Sequence, residues 1–309
     1  YEISCSLVGS EMCIRDRRYD MKEIKTLEEI CSEYKLPEDE RNEIGNKINA
    51  IMLNGKEPSE HPIAIINIAP PGSGKTGLNG YACAQFKDNN VVIINSDELK
   101  PFHPRIDELA KKYPQYYTKV TNQESNFWTD NLFDAIVANN YNVIFEGTGR
   151  NLKLLKNMMY KMHGYKIIVR GMAVDEMNCL MSIIERYEGQ VKQKGWGRLV
   201  ALDHFYKAYE EMLDNIQAIE QSEMADIVEV YTRGEIPSKP IRLYNSRNRE
   251  FQDVRAAVIV GRQRDRKSAE QYYERSFSRR QVITKYFTEE SEILDRIIEI
   301  YKRQEWIEI

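Results

Sequence analysis

Long apolar runs are missing from this 309-residue chain. A helical membrane span needs about 20 consecutive apolar residues, so none is expected. There is no secretory h-region, and a soluble cytoplasmic protein is the expectation. Positive charge is not in excess either. Lys and Arg number 44 against 48 Asp and Glu, a net charge of −4, which argues against a nucleic-acid footprint. Cysteine is scarce. Cys5, Cys13, Cys31, Cys83 and Cys179 form no C-x-x-C pair. They show no metal-ligand spacing with His61, His103, His163 and His204, so reduced or incidental thiols are expected. His103, between Pro101 and Pro104, reads as a packing residue in a loop. Neither G-x-S-x-G nor H-E-x-x-H occurs, which removes two hydrolase signatures. No internal repeat or low-complexity tract is visible. What the chain does have is length for one large domain or two ordinary ones, and 42% hydrophobic residues, enough for a real core.

The organising stretch is Ile63 to Gly80, IAIINIAPPGSGKTGLNG. Ile63 to Ile68 is a β-branched apolar run that reads as a buried strand. Ala69-Pro70-Pro71-Gly72-Ser73-Gly74-Lys75-Thr76 then follows the Walker A spacing, G-x-x-x-x-G-K-[ST], with Ala69 in place of the first glycine. A helix is expected from near Gly74. Gly72 and Gly74 permit backbone conformations that a side chain blocks. The loop amides around Ser73 and the helix N-terminus then converge on a phosphate. Lys75 is placed to reach the β- and γ-phosphates of ATP, and the Thr76 hydroxyl to ligate Mg²⁺.

Further buried strands are expected at 91–95, 142–146, 166–174 and 227–231. Helices are expected between them, including 123–139, 151–163, 175–188 and 202–222. This alternation predicts an α/β fold of the P-loop kinase kind. Its parallel sheet would have about five strands covered by helices on both faces, followed by a helical C-terminal extension. The expected organisation is a non-native leader at 1–20, N-terminal helices at 21–60 packed on the core, a kinase core at 61–245, and a partly helical extension at 246–309. The leader contains SLVGSEMCIRD, which resembles translated sequencing-adapter read-through, and Met21 makes a natural start. In the last third, 234–240 reads as a linker and 241–244 and 256–260 as short strands. Residues 266–282 read as a basic helix with a solvated face, and 291–306 as an amphipathic helix.

Ligands of such sheets bind beyond the carboxyl ends of the strands. Three polar clusters fall there: the Walker loop, Asn95-Ser96-Asp97, and Glu146-Gly147-Thr148-Gly149-Arg150. Phosphoryl transfer needs a phosphate cradle, Mg²⁺, a carboxylate base and cations on the transferring group. Asp97 is the best base candidate, with Ser96 or Asn95 as orienting neighbours; the alternative is an N-cap of the helix that follows. Glu146, at the end of an apolar strand, could hold a metal-bound water or a substrate hydroxyl, or pair with Arg150. Arg186 and Arg198 are the clamp candidates. Their alternatives are a helix pair with Glu185 or Glu188 for the first, and simple exposure on a glycine-bracketed stretch for the second.

Taken together, Pro71 to Thr76, Asn95 to Lys100 with His103-Pro104, Glu146 to Arg150, and Ile184-Glu185-Arg186-Tyr187-Glu188 resemble the zeta toxin family, over about residues 40–245. These are P-loop kinases of toxin–antitoxin systems. The resemblance implies ATP- and Mg²⁺-dependent phosphorylation of the 3′-hydroxyl of the sugar in UDP-N-acetylglucosamine, which starves peptidoglycan synthesis. It implies that Lys75 and Thr76 serve nucleotide and metal, that Asp97 is the general base, and that Arg186 and Arg198 contact phosphate. Glu146, Thr148 and Arg150 would line the sugar-nucleotide pocket. Ser125 to Asp130 is similar to a family segment that usually ends in Glu, so Asp130 is a further substrate-binding candidate, one methylene shorter. A separate antitoxin protein is implied as partner. The competing readings are a kinase of another small acceptor (an antibiotic, nucleotide or dinucleotide) and a non-catalytic ATP-binding switch or adaptor.

Overall fold

The computed structural model describes residues 25–194, 197–236, 238–282 and 288–303. The 1–20 leader, Gly195 and Trp196 of the glycine-bracketed stretch, and the end of the 291–306 helix lie outside them.

A six-stranded sheet forms the centre. Its strands are β1 (Ile63–Ile68), β2 (Val92–Ile94), β3 (Val143–Gly147), β4 (Lys166–Met172), β5 (Ile227–Thr232) and β6 (Ile241–Asn245). Their spatial order is β2-β3-β1-β4-β5-β6. The first five pair in parallel and β6 closes the edge antiparallel to β5. The sheet is thus one strand wider than the expected five. The chain leaves β1 for β2 on one side, returns through β3, then crosses to β4 on the other. The strand order therefore reverses at β1, which is where such sheets open a crevice for ligands.

The helices in chain order are α1 (Leu27–Tyr34), α2 (Glu38–Leu53), α3 (Lys75–Cys83), α4 (Ser96–Leu99), α5 (Ile106–Lys112), α6 (Tyr117–Val120) and α7 (Asn122–Ala138). They continue with α8 (Leu152–Lys161), α9 (Glu176–Lys194), α10 (Leu202–Gln221), α11 (Val254–Gly261), α12 (Arg266–Val282) and α13 (Thr288–Arg303). Alternation along β1 divides them between two faces. Ala64, Ile66 and Ile68 pack with α7, α8, α10 and α11 through Trp128, Leu132, Met158, Ile216 and Ala257. Ile65 faces the other way, with Ile144, Ile168 and Ala82 of α3. Both faces being covered explains why these strands read as nearly unbroken apolar runs.

Outside β2, each strand carries a polar residue at the same height. Asn67 of β1 is in register with Glu146 of β3 and with Arg170 of β4. Arg170 is in register with Glu229 of β5, and Glu229 with Asn245 of β6. Each shares the parity of Ile65, Ile144 or Ile168, so the row lies under α3. Arg170 and Glu229 are buried and paired at 2.9 Å. Asn245 Nδ2 and the Tyr231 hydroxyl also donate to Glu229, each at 3.0 Å. These bonds satisfy the Glu229 carboxylate and offset part of the pair's desolvation cost.

The last third departs from expectation. Residues 256–260 form part of α11 rather than a strand. Asp253 caps that helix by accepting from Ala256 N at 2.8 Å. Val254, Ala257 and Val258 then share one buried face, the i, i+3, i+4 spacing that a short apolar run conceals. The helix α9 runs on to Lys194, which leaves Arg186 mid-helix rather than near an end. The basic α12 is not a merely solvated face. Its arginines pair within the chain: Arg275 with Glu185, Arg279 with Glu188 at 2.8 Å, and Arg280 with Asp295 at 2.8 Å. Ala269 of α12 and Ile293, Leu294, Ile297 and Ile300 of α13 join Leu180, Met181 and Ile184 of α9 in one apolar cluster.

Candidate active site

Strand β1 runs straight into the Walker loop. Gly72 and Gly74 have φ of 77° and 100°, in the left-handed region that disfavours side chains. A Cβ on Gly72 would stand 2.1 Å from the Cys179 carbonyl oxygen, so α9 backs the loop directly. Ala69, in the place of the first glycine, is buried and has no such φ, which is why its methyl is tolerated. Lys75 Nζ donates to the carbonyls of Ala69 at 3.0 Å and Pro70 at 3.3 Å. Burial lowers the Lys75 pKa, and the nearby Glu146 opposes that. The ammonium thus sits in a pocket that a phosphate oxygen would neutralise. Ser73 is buried and donates to the Pro70 carbonyl at 2.8 Å, while Thr76 is exposed in the first turn of α3.

Asp97 follows β2. The helix cap here is Asn95, whose Oδ1 accepts from Asp97 N at 3.0 Å, so the Asp97 carboxylate is not spent on capping. Lys100 Nζ is 2.5 Å from its Oδ1, and Arg198 Nη1 is 3.0 Å from its Oδ2. Burial raises the Asp97 pKa, but Arg198 and Lys100 outweigh it and hold the carboxyl at about 2. Arg198 is therefore engaged rather than simply exposed. Its backbone is held as well, Arg198 N donating to Gln190 Oε1 at 2.9 Å.

Arg186 forms no hydrogen bond or ion pair with a described residue. Glu185 and Glu188, the helix partners considered for it, pair with Arg275 and Arg279, and at one and two positions away neither shares its face of α9. Burial, then Arg198, lowers the Arg186 pKa, and Asp97, Tyr117 and Glu146 act against them. Glu146, at the end of β3, does not pair with Arg150. It accepts a hydrogen bond from Asn79 Nδ2 of α3. Arg150 turns instead to Glu211 at 3.3 Å and His204 Nδ1 at 3.1 Å. Asn215 Nδ2 holds that loop by donating to the carbonyls of Gly149 at 2.7 Å and Arg150 at 2.9 Å, with Thr148 half-buried beside them. Asp130 stands apart. It is exposed on α7, burial raises its pKa, and the charges it feels are Lys161 and Asp134. His103 packs as expected, buried, with Nε2 3.0 Å from the Tyr34 carbonyl oxygen.

Lys75, Asp97, Glu146, Arg186 and Arg198 thus share one electrostatic neighbourhood at the carboxyl edge of the sheet. Three of its residues were not singled out in the sequence. Lys100 is 6% exposed and salt-bridged to the base candidate. Tyr117 lies close enough for Asp97, Arg186 and Arg198 to act on its hydroxyl. Arg233 clamps the cradle from behind. It donates to the Ser73 carbonyl at 3.1 Å, to the Gly72 carbonyl and Asn178 Oδ1, and to Ser182 Oγ at 2.9 Å. Arg233 directly follows β5, so the strand-end rule, applied to the fifth strand, points to it.

Among the described residues no cluster of three or more His, Cys, Asp or Glu could hold a metal ion. An Mg²⁺ ion carried in on nucleotide phosphates would need few protein ligands. Thr76 is the hydroxyl such an ion would find.

A parallel sheet switching at β1, a glycine loop leading into α3 and a carboxylate–cation cluster beyond it define a P-loop protein of the kinase-like class. The family model for zeta toxin matches residues 49–249, and the chain belongs to the zeta toxin family of toxin–antitoxin systems. It is 34% identical to toxin zeta of Streptococcus pyogenes over 139 residues, 44% of this chain and 48% of that one. It is 25% identical to toxin PezT of Streptococcus pneumoniae over 185 residues, 59% and 73% of the two chains. The chain thus spans about half the length of the zeta relatives it matches. In fold it is similar to the PezAT chromosomal toxin–antitoxin system of Streptococcus pneumoniae, at a TM-score of 0.65 and 18% identity over 88% of this chain and 99% of that one. It is also similar to AvrRxo1-ORF1:-ORF2 with ATP, at a TM-score of 0.50 and 13% identity over 89% of each. No helix of the described residues is long and apolar enough to cross a membrane.

Proposed function

We propose that this chain is an ATP-dependent kinase that phosphorylates the 3′-hydroxyl of the sugar in UDP-N-acetylglucosamine, as the toxin of a toxin–antitoxin pair with a separate antitoxin. The observation that carries the reading is the convergence of Asp97, Glu146, Arg186 and Arg198 around Lys75 at the mouth of the Walker loop. The loop amides and Lys75 hold the β- and γ-phosphates. Mg²⁺, when bound, neutralises charge on the transferring group. Asp97 accepts the acceptor hydroxyl's proton. It does so once Arg198 has left its Oδ2 for the γ-phosphate, because a carboxylate held at about 2 is a weak base. Arg186, with no partner of its own among the described residues, completes the clamp. Glu146, Thr148 and Arg150 bind the acceptor.

The test is transfer of label from γ-labelled ATP to UDP-N-acetylglucosamine with Mg²⁺, with Asp97→Asn beside the wild type. Wild type is expected to transfer label, and Asp97→Asn to lose transfer while binding ATP within about twofold, as expected for a group that acts on the acceptor. Transfer by Asp97→Asn at the wild-type rate refutes the base. One observation favours a different acceptor, namely that Asp130 keeps company with Lys161 and Asp134 rather than with the cluster. Lys75-dependent ATP hydrolysis without transfer to this sugar nucleotide would support that reading.

A further inference from the structure

The polar row under α3 ends at Glu146, and its hydrogen bonds run in one direction. Asn67 Nδ2 donates to Asn79 Oδ1 at 2.7 Å, and Asn79 Nδ2 donates to Glu146 Oε2. Asn67 and Asn79 are both buried. The polarity of this chain is forced. An ionised carboxylate only accepts, so Asn79 must present its NH₂ to Glu146. That leaves the Asn79 carbonyl for the NH₂ of Asn67. The Asn67 carbonyl then has no partner among the described residues, and neither does Nη1 of Arg170, its register neighbour. Both amide dipoles therefore run from a guanidinium at one end to a carboxylate at the other, the sense the surrounding field favours.

The three residues come from three elements. Asn67 is on the strand that feeds the Walker loop. Asn79 lies one turn beyond Lys75 on the helix that the loop caps. Glu146 ends the neighbouring strand, close enough to Lys75 to oppose the fall in its pKa. We infer that Asn79 is a positioning residue that fixes Glu146 from beneath, and that the relay Asn67–Asn79–Glu146 ties the phosphate cradle to the acceptor side of the site. The inference rests on the kinase reading for its kinetic consequence but not for its geometry. Glu146 is otherwise a single carboxylate at a strand end, free to turn about its side-chain torsions. The hydrogen bond from Asn79, on the helix that holds ATP, makes its position depend on the cradle being formed.

The experiment is a double-mutant cycle of Asn79→Ala with Glu146→Gln in the full chain, read as ATP affinity and as kcat/KM for UDP-N-acetylglucosamine. Asn79→Ala alone should leave ATP affinity within about twofold. It should lower kcat/KM for the acceptor roughly 10- to 100-fold, the scale of a hydrogen bond to a charged group. In the Glu146→Gln background the same substitution should add about twofold or less, because its effect passes through Glu146. Asn79→Asp, which sets two carboxylates face to face, should be worse than Asn79→Ala. Losses that multiply independently in the double variant overturn the relay, and so does an unchanged kcat/KM in Asn79→Ala. A wild type that does not use this sugar nucleotide overturns the acceptor instead. The relay is then judged by the Asn79 side-chain amide resonances in wild type and Glu146→Gln. A clear shift between the two upholds it, and coincident resonances refute it.

Discussion

Replacing Arg198 by alanine should move the titration of a residue 101 positions away in sequence. In the native chain burial pushes the Asp97 carboxyl up, Arg198 and Lys100 pull it down, and the balance stands at about 2 against an ordinary 3.8. A carboxyl lowered by folding stabilises the native state above its unfolded pKa, and that contribution fades as pH falls from about 4 toward 2. At face value the shift corresponds to about 2.5 kcal/mol. The Asp97 side chain is 52% exposed and the Arg198 side chain 34%, so water screens the pair. About 1 kcal/mol is the working figure. The assay is a carboxyl ¹³C titration of Asp97, with thermal melts across the same acid range. In Arg198→Ala the midpoint should rise by about one unit, Lys100 keeping the rest. The stability gap between the two proteins should close at the acid end, where both carboxyls are protonated. A midpoint that does not move refutes the pairing. At neutral pH the carboxyl is ionised in both proteins, so a fall in turnover reports the missing guanidinium and not the state of the base. ATP affinity should change far less than turnover; equal loss of both removes Arg198 from the clamp.

Two further substitutions probe the cradle. Gly72→Ala puts a methyl 2.1 Å from the Cys179 carbonyl at a φ of 77°, so it should cost about 2–3 kcal/mol in chemical denaturation and weaken ATP binding. Wild-type values for both would show that α9 does not back the loop. Arg233→Met keeps the length of the side chain and removes its donors to the Gly72 and Ser73 carbonyls. The KM for ATP should rise about tenfold while acceptor KM changes little, and an unchanged ATP KM would make Arg233 a bystander.

The cradle was legible because it is local. A β-branched run, two glycines at fixed spacing and a lysine one residue into a helix are all decided within about fifteen neighbours, and the backbone there needs nothing distant to take its shape. The same holds for the strand–helix alternation that predicted a parallel sheet covered on both faces. Short apolar runs were less certain. Residues 241–245 did pair as a strand, but 254–261 coiled into a helix, because Asp253 supplied a cap and an apolar stretch of that length carries no period of its own.

The amino-acid sequence by itself therefore determined the family, the class of fold and the phosphate loop, since each depends on residue types at short fixed separations. Tertiary structure alone decided the partnerships. Asp97 meets Arg198, Glu146 meets Asn79 instead of Arg150, and Arg233 meets a loop 160 residues upstream, because the strand order sets their connecting segments side by side. Arg186 lacks a helix partner because the positions three and four residues away hold Ser182, Ile183, Gly189 and Gln190, none of them a carboxylate, while α12 pairs with Glu185 and Glu188. A charge chooses its partner by distance and by the water excluded between them, and neither is defined until the sheet and its helices have closed.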